Sequence, residues 1–358
     1  MKVLFLKEAL GIGGAERQLA LTTKYLPREW ERRVWTLTGG PFADVITAQG
    51  HRVYIRPRAA RMDVRPAWDL WRLLWDWRPD IVHSWDWMAS SAALPLCGLL
   101  RIPVIDGTIR VGFVEPHRAG MRRLCMTLSQ RVVANSIAGL LAWDVPAAKG
   151  RVVYNGFDPE RLALCEAKPE RHDSATVVAM TGRMTPQKDF STVIRAARKL
   201  DAHDPRRWRF VLVGYGPDRQ RLLAEARDLT ERGVTTFIDP GPEALPAIRG
   251  ADIGVLMTDE REHSEGCSNA LMEYMACGLP VICTRGGGNP ELVLAGATGY
   301  LIDAGSSGLL VERLRGLADN PGLADRMGSA GRRRLIEQFS TERMVADLMD
   351  LYREVAAF

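Results

Sequence analysis

The sequence predicts an α/β protein built on two doubly wound parallel sheets, and three observations carry that prediction. Short apolar runs that read as buried strands alternate with stretches of helical periodicity along nearly all of the 358 residues. The alternation stops at a polar, breaker-rich segment over residues 161–175 (RLALCEAKPERHDSA) and then restarts, which divides the chain in two. Glycine-rich turns follow several strands and open helices, the place where ligands of such sheets bind. The length suits two domains, and 46% hydrophobic with 25% charged residues is the profile of a globular protein with ample core.

In the first half, residues 3–6 form a short buried strand. Gly11, Gly13 and Gly14 follow and open a helix to about residue 26. A dinucleotide site would place a carboxylate after the second strand, 34–38, but Gly39 and Gly40 stand there. Next come a strand over 51–55, a helix over 67–77, a strand over 81–83 and a helix over 89–100. A strand begins at 104, a helix covers 121–131, and strands at 132–135 and 152–154 lead to Asn155 and Gly156. The helix over 67–77 has apolar residues at helical spacing, as a helix covering a sheet requires. Within 117–128, Met121, Leu124, Cys125 and Leu128 share an apolar face with Arg118 and Arg122 beside it. Such a face either packs on the sheet or lies on an anionic membrane surface.

Beyond the linker, strands over 177–181, 210–213 and 235–238 alternate with helices over 191–200 and 218–231 and a short one near 243–249. Two apolar runs, ADIGVLM and LPVICT, then bracket a helix that Ser268 or Asn269 caps and Gly278 stops. A helix over 291–294, a strand over 300–302 and helices near 307–317, 323–339 and 341–355 finish the chain. The domains are expected at 1–160 and 161–340, followed by a terminal segment 341–358.

Several function classes are excluded. No run of eighteen uncharged apolar residues occurs, and MKVLFLKEAL reads as a first strand rather than a signal peptide. The six cysteines show no C-x-x-C pair and the six histidines no metal-ligand spacing, so reduced thiols and no metal are expected. Residues 1–165 hold 23 Lys+Arg against 15 Asp+Glu, and the remainder is net −3. That basic half suits an anionic acceptor or an acidic membrane surface, and no recognised nucleic-acid module accompanies it.

The chemistry concentrates in residues 257–288. Glu265 lies before the capped helix and Glu273 inside it, with seven residues between them. The helix N-terminus suits a phosphate. Carboxylates on either side repel one, and instead accept hydrogen bonds from hydroxyls such as those of a sugar and a ribose. A nucleotide-sugar satisfies both demands. The turn Gly182-Arg183 through Lys188 follows a strand and precedes a helix, and its two cations can meet the charge that grows on a departing diphosphate.

EGCSNALMEYMACGLPVICT, with Glu265 and Glu273 in it, resembles the E-x7-E signature of retaining glycosyltransferases of family 4, which have the GT-B architecture. GGAER (Gly13, Gly14), GRMTPQK (Arg183, Lys188), GYGP (Gly214), the Gly286–Gly288 turn and NGFD at Asn155 resemble further motifs of that family. The resemblance implies two Rossmann-like domains facing across a cleft, the terminal segment returning to the first. It implies transfer of a sugar from a nucleotide-sugar, UDP-linked on family frequency, with retention and without metal or cofactor. Glu265, Arg183 and Lys188 take the catalytic roles. Gly13, Gly14, Gly214, Gly266, Cys267, Ser268, Asn269 and Glu273 hold the nucleotide-sugar, with Glu273 on the ribose. The family's N-domain histidine is not matched: Arg110 stands near its place, with His83, Asp106 and His117 as other candidates for sugar or acceptor contact. The acceptor is expected to be a glycan or a lipid-linked or polysaccharide intermediate, met in the cytoplasm or at the inner membrane face. The other readings are a nucleotide-sugar epimerase and a non-catalytic nucleotide-sugar-binding protein.

Overall fold

The computed structural model describes residues 1–60, 63–114, 119–166, 174–205, 207–241, 243–261 and 263–357. Two compact units emerge, Met1–Gly156 with Thr341–Phe358, and Phe157–Ser340. The second unit thus begins at Phe157, ahead of the 161–175 segment. Asp158 caps a helix over Pro159–Ala163, accepting from Glu160 N at 3.0 Å, and this helix belongs to the second unit.

Among the described residues the first unit holds a seven-stranded parallel sheet: β1 (Lys2–Ala9), β2 (Glu31–Thr38), β3 (Arg52–Ile55), β4 (Ile81–Ser84), β5 (Val104–Ile109), β6 (Arg131–Ala134) and β7 (Gly150–Val152). Their order is β3-β2-β1-β4-β5-β6-β7. The second unit holds six: β8 (Thr176–Thr181), β9 (Trp208–Val213), β10 (Thr235–Ile238), β11 (Ile253–Leu256), β12 (Val281–Thr284) and β13 (Gly299–Ile302), ordered β10-β9-β8-β11-β12-β13. β4, β5, β11 and β12 are buried along their whole length. Helices cover both faces of such strands, so none shows a buried/exposed alternation, and β4 and β5 carry His83, Ser84, Asp106 and Thr108 inside. Each sheet reverses its winding once, at β1/β4 and at β8/β11. The loops after those strands diverge and open a crevice at the carboxyl edge.

Local chemistry explains where helices escaped the pattern or broke it. Pro41–Ala48 begins on a proline at its first turn, and Ile137–Ala142 is capped by Ser136, which accepts from Gly139 N. The expected helix over 218–231 is two, Arg219–Glu225 and Arg227–Glu231, because the Arg198 guanidinium takes the Glu225 carbonyl that would continue the ladder. The helix expected over 121–131 runs Ala119–Leu128, and Ser129 and Gln130 turn the chain into β6. Among the described residues no helix is long and apolar enough to cross a membrane.

The terminal helix, Thr341–Ala356, completes the first unit's core. Met344, Val345, Leu348, Leu351, Tyr352 and Val355 form its buried stripe, packed with Leu19, Ile46 and Trp30. Its Tyr352 hydroxyl hydrogen-bonds His83 Nδ1 on β4 at 2.6 Å, and Glu354 pairs with Arg131 and Arg151. Leu348→Ala is expected to lower the unfolding free energy by about 3 kcal/mol, from lost transfer energy plus a cavity. Denaturant titration followed by tryptophan fluorescence measures it.

Candidate functional site

In the second unit the winding reversal sets the loop after β8 beside the loop after β11. The first, residues 182–189, is held by backbone bonds on both flanks. Gly182 N donates to Val213 O, Met184 N to Tyr215 O, and Asp189 N to Met257 O. Met184 is fully buried beneath it. The neighbouring turn after β9 has to be glycine at two places: a Cβ on Gly214 would lie 2.0 Å from Gly182 O, and one on Gly216 2.3 Å from Met184 O. Gly214 is buried and serves as the floor under this loop. Arg183 stands exposed at its rim, with no ion-pair partner among the described residues.

Lys188 turns inward. Its backbone bridges Thr258, and its ammonium pairs with Glu265 Oε1, which also accepts from Thr258 Oγ1 at 3.2 Å. Glu265 is only 7% exposed. Burial, the largest single influence, pushes its carboxyl toward the neutral form. The charges of Lys188 and His263, with the two hydrogen bonds, outweigh this and hold the carboxyl below its usual value. The Glu265 backbone is fixed by the glycine turn: Gly288 N donates to Glu265 O at 2.8 Å. Gly287, at φ +61°, comes so close that a Cβ would lie 2.2 Å from that same oxygen.

Gly266, Cys267 and Ser268 follow, all buried, and Ser268 is the N-cap of the helix Asn269–Ala276. Gly278, at φ +67°, ends it. Tyr274 locks this helix to the sheet. Its hydroxyl accepts from Thr181 N on β8 at 2.6 Å and donates to Val255 O on β11 at 3.0 Å, and its ring lies where a Cβ on Gly254 would be 2.4 Å away. Glu273, one residue earlier, is buried, and Arg161 Nη2 donates to its Oε1 at 2.7 Å. Arg161 also forks onto Glu243 through Nε (2.8 Å) and Nη2 (2.6 Å). Neither Arg161 nor Tyr274 was singled out in the sequence. Arg161 fell within the presumed linker, and its one signal is its place just after the Asp158 cap.

The described cysteines are free thiols, and only Cys277 is not buried. Spacing did not reveal that Cys277 Sγ lies 3.3 Å from Cys165 Sγ. Among the described residues no group of three or more His, Cys, Asp or Glu gathers as metal ligands.

The first unit treats its candidates differently. Gly13 caps the helix Gly14–Tyr25, and its missing side chain leaves room for Glu16, which folds back to Lys7 at 3.1 Å. Lys7 is buried between Glu16 and Asp86 (2.9 Å). Burial, which would lower the ammonium, is outweighed by those two carboxylates, and the lysine is raised. His83 and Asp106 occupy interior positions, and neither exposes any surface. Burial and then the Arg110 charge lower His83 well below its usual value, so it is neutral against Tyr352. Burial raises Asp106 despite hydrogen bonds from Thr108 (2.7 and 3.1 Å) and Ser90 (3.3 Å). Arg110, at the end of β5, stacks its guanidinium 3.9 Å from the Trp85 ring centroid and donates from Nε to Gly107 O. His117 and Arg118 lie outside the described residues.

The helix Ala119–Leu128 splits its expected apolar face. Cys125 and Met126 are buried, while Met121, Leu124 and Leu128 are about half exposed. Arg122, expected beside the face, is buried: it donates to Thr108 O and stacks on Trp143. The exposed cation is Arg123.

Comparison with known proteins follows the same division. The family model "Glycosyltransferase Family 4" matches residues 12–161, and "Glycosyl transferases group 1" matches residues 166–334. A D-inositol 3-phosphate glycosyltransferase of Corynebacterium efficiens is 29% identical over 311 residues, 77% of this chain and 71% of the relative. The lipopolysaccharide core biosynthesis glycosyltransferase LpsE of Rhizobium meliloti is 26% identical over 267 residues, 74% and 73% of the two chains. The crystal structure of Anabaena HepE with UDP and glucose matches with a TM-score of 0.79 at 20% identity, over 98% of this chain and 99% of that one. A glycosyltransferase from Rickettsia africae matches with 0.84 at 17%, over 99% and 98%. At these identities the structural likeness is one of fold, the GT-B architecture of two parallel-sheet α/β domains.

The buried Lys188–Glu265 pair gives a pH signature. Folded Glu265 sits below its ordinary 4.5, so the pair contributes stability above about that pH and loses it as pH falls through the lower folded value. In Lys188→Met, burial dominates and Glu265 rises above 4.5, a penalty present at neutral pH and relieved as pH falls. The variant is expected to be about 3 kcal/mol less stable than the parent at pH 7, with the gap narrowing toward pH 4. Urea unfolding at a series of pH values checks this, and a constant gap contradicts it.

Proposed function

Because this chain belongs to the glycosyltransferases described by the group 1 and family 4 models, we propose that it retains anomeric configuration in moving a sugar from a UDP-linked donor to a hydroxyl of a glycan, lipid-linked or polysaccharide acceptor. The observation that carries this is the sequence of charges along one edge of the second unit. Arg183 and Lys188 lie on the loop after β8, Glu265 pairs with Lys188, the tip of the helix Asn269–Ala276 comes next, and Glu273 sits in its second turn. Diphosphate suits the cations and the helix tip, and hydroxyls suit the two carboxylates. The bound state of the structural relative, UDP with glucose, supports that choice of donor.

The donor exchanges partners with the protein. As the diphosphate arrives it draws Lys188 from Glu265, and the freed carboxylate accepts hydrogen bonds from the transferred sugar. Cleavage of the anomeric C–O bond leaves negative charge on the diphosphate, which Arg183, Lys188 and the helix N–H groups stabilise more strongly than in the ground state. The same departing phosphate takes the acceptor's proton on the face it leaves, so no separate base and no metal is required. Arg110, held over the Trp85 ring, is the residue for an anionic group on the sugar or the acceptor. The relative named for D-inositol 3-phosphate supports an acceptor that carries such a group.

A peripheral membrane contact fits the first unit. Met121, Leu124 and Leu128 form an exposed stripe with Arg123, and Leu141, 70% exposed, lies on the helix Ile137–Ala142. A cavity of about 470 Å³ walled by Met126, Val132, Trp143, Arg123, Asp144 and Lys149 opens there, apolar with two cations against the one carboxylate that pairs with Arg123, a balance that suits an anionic lipid.

Two experiments test the reading. A screen of nucleotide-sugar turnover with NMR of the product should show a UDP-sugar consumed and its anomeric configuration kept. Arg183→Ala should lower turnover at least about tenfold, from loss of a charge-assisted hydrogen bond. Inversion, or full activity in that variant, removes the proposed chemistry. Sedimentation with phosphatidylglycerol vesicles should fall at least severalfold for Leu124→Asp with Leu128→Asp, and unchanged binding removes the membrane contact.

A further inference from the structure

We propose that Arg161 is a positioning residue for the donor's ribose, acting through Glu273. The inference rests on the nucleotide-sugar reading above and goes beyond it. Arg161 makes no contact with a nucleotide itself. It orients the carboxylate that does.

Two features of the cluster point this way. Arg161 is anchored first from the other side. Its Nε and Nη2 fork onto Glu243, and Glu243 Oε1 is fixed in turn by Leu245 N at 3.1 Å. The Phe157 ring lies 5.1 Å from the guanidinium carbon. A planar guanidinium held by a fork has one orientation, so its remaining reach is directed. That reach ends on Glu273 Oε1 at 2.7 Å.

The second feature is which oxygen is taken. Glu273 is 6% exposed. Its Oε1 is occupied, while its Oε2 accepts no hydrogen bond from the described residues and is not among the buried unpartnered atoms, so it meets solvent. A carboxylate with one oxygen pinned and one presented can accept from a ribose hydroxyl without first losing rotamer freedom.

Ribose discrimination separates positioning from mere support. Calorimetry on the full chain with UDP and 2′-deoxy-UDP should show the ribonucleotide bound at least about tenfold more tightly, the worth of a hydrogen bond to a charged acceptor. Glu273→Gln should bring the ratio near one. Arg161→Gln should do the same, Arg161→Lys should fall between, and Arg161→Gln with Glu273→Gln together should lower the ratio no further than either alone. A folded Arg161→Gln that weakens both nucleotides equally and keeps the ratio overturns the proposal while leaving the donor reading intact. If Arg161→Gln does not fold, Glu243→Gln loosens the guanidinium without removing it; a lower ratio supports the proposal and an unchanged one overturns it. Failure of the unmodified protein to bind UDP, GDP or ADP sinks the donor reading itself, and binding without ribose discrimination sinks the role of Glu273 and this inference with it.

Discussion

The second unit is organised by the need to bury two carboxylates around one short helix. An isolated buried carboxylate would give up its charge, and a neutral acid could not serve as a pure acceptor. Lys188 holds Glu265 in its charged form, and Arg161 pairs with Glu273; both cations come from distant parts of the chain. Those two partners determine where the loop after β8 and the helix Pro159–Ala163 must lie. Much else supports those placements: the glycines at 214, 216 and 287 that let backbone approach backbone, and the Tyr274 hydroxyl that joins the helix to β8 and β11.

The first unit solves a similar problem with the opposite sign. There a lysine, Lys7, is the buried charge near the end of β1, and it is closed on by Glu16, from the first turn of the helix Gly14–Tyr25, and by Asp86, from the loop after β4. Gly13 belongs to that closure, since a Cβ there would lie 2.2 Å from Glu16 Oε2. On the next two strands, β4 and β5, His83 and Asp106 answer burial in another way. His83 is kept neutral, and Asp106 is drawn toward neutrality with its oxygens tied to Thr108 and Ser90. Arg110 at the strand end, partly exposed, is a polar group that this edge presents.

Much of this was legible in the sequence, and what was missed shares a cause. Strand alternation, the Gly278 stop and the Glu265/Glu273 spacing all depend on near neighbours along the chain, which a sequence displays directly. Arg161, Tyr274 and the inward turn of Arg122 depend on partners far away: Glu273 is 112 residues from Arg161, and Thr181 is 93 from Tyr274. An arginine in a polar stretch looks solvated, and a tyrosine in an apolar helix looks like core. Helical periodicity gave the face of the helix Ala119–Leu128 but not its orientation. Met121, Leu124 and Leu128 went outward and Arg122 inward because the Thr108 carbonyl and the Trp143 ring offered the guanidinium a better site than water.

The two counter-cations differ in kind, and the difference suits the chemistry proposed for each. Lys188 carries a compact point charge on a flexible stem, with three donors and no fixed plane. It can leave Glu265 for a diphosphate and return without reorganising the loop, whose backbone is bonded independently of the side chain. Arg161 is a planar fork already committed to Glu243, so moving it would break three hydrogen bonds at once. Exchange is cheap at the phosphate end, where charge must develop and depart during a reaction. It is costly at the ribose end, where nothing changes between substrate and product. A lysine at Arg161's place or an arginine at Lys188's would invert that arrangement while conserving every charge, which is why charge alone does not specify the site.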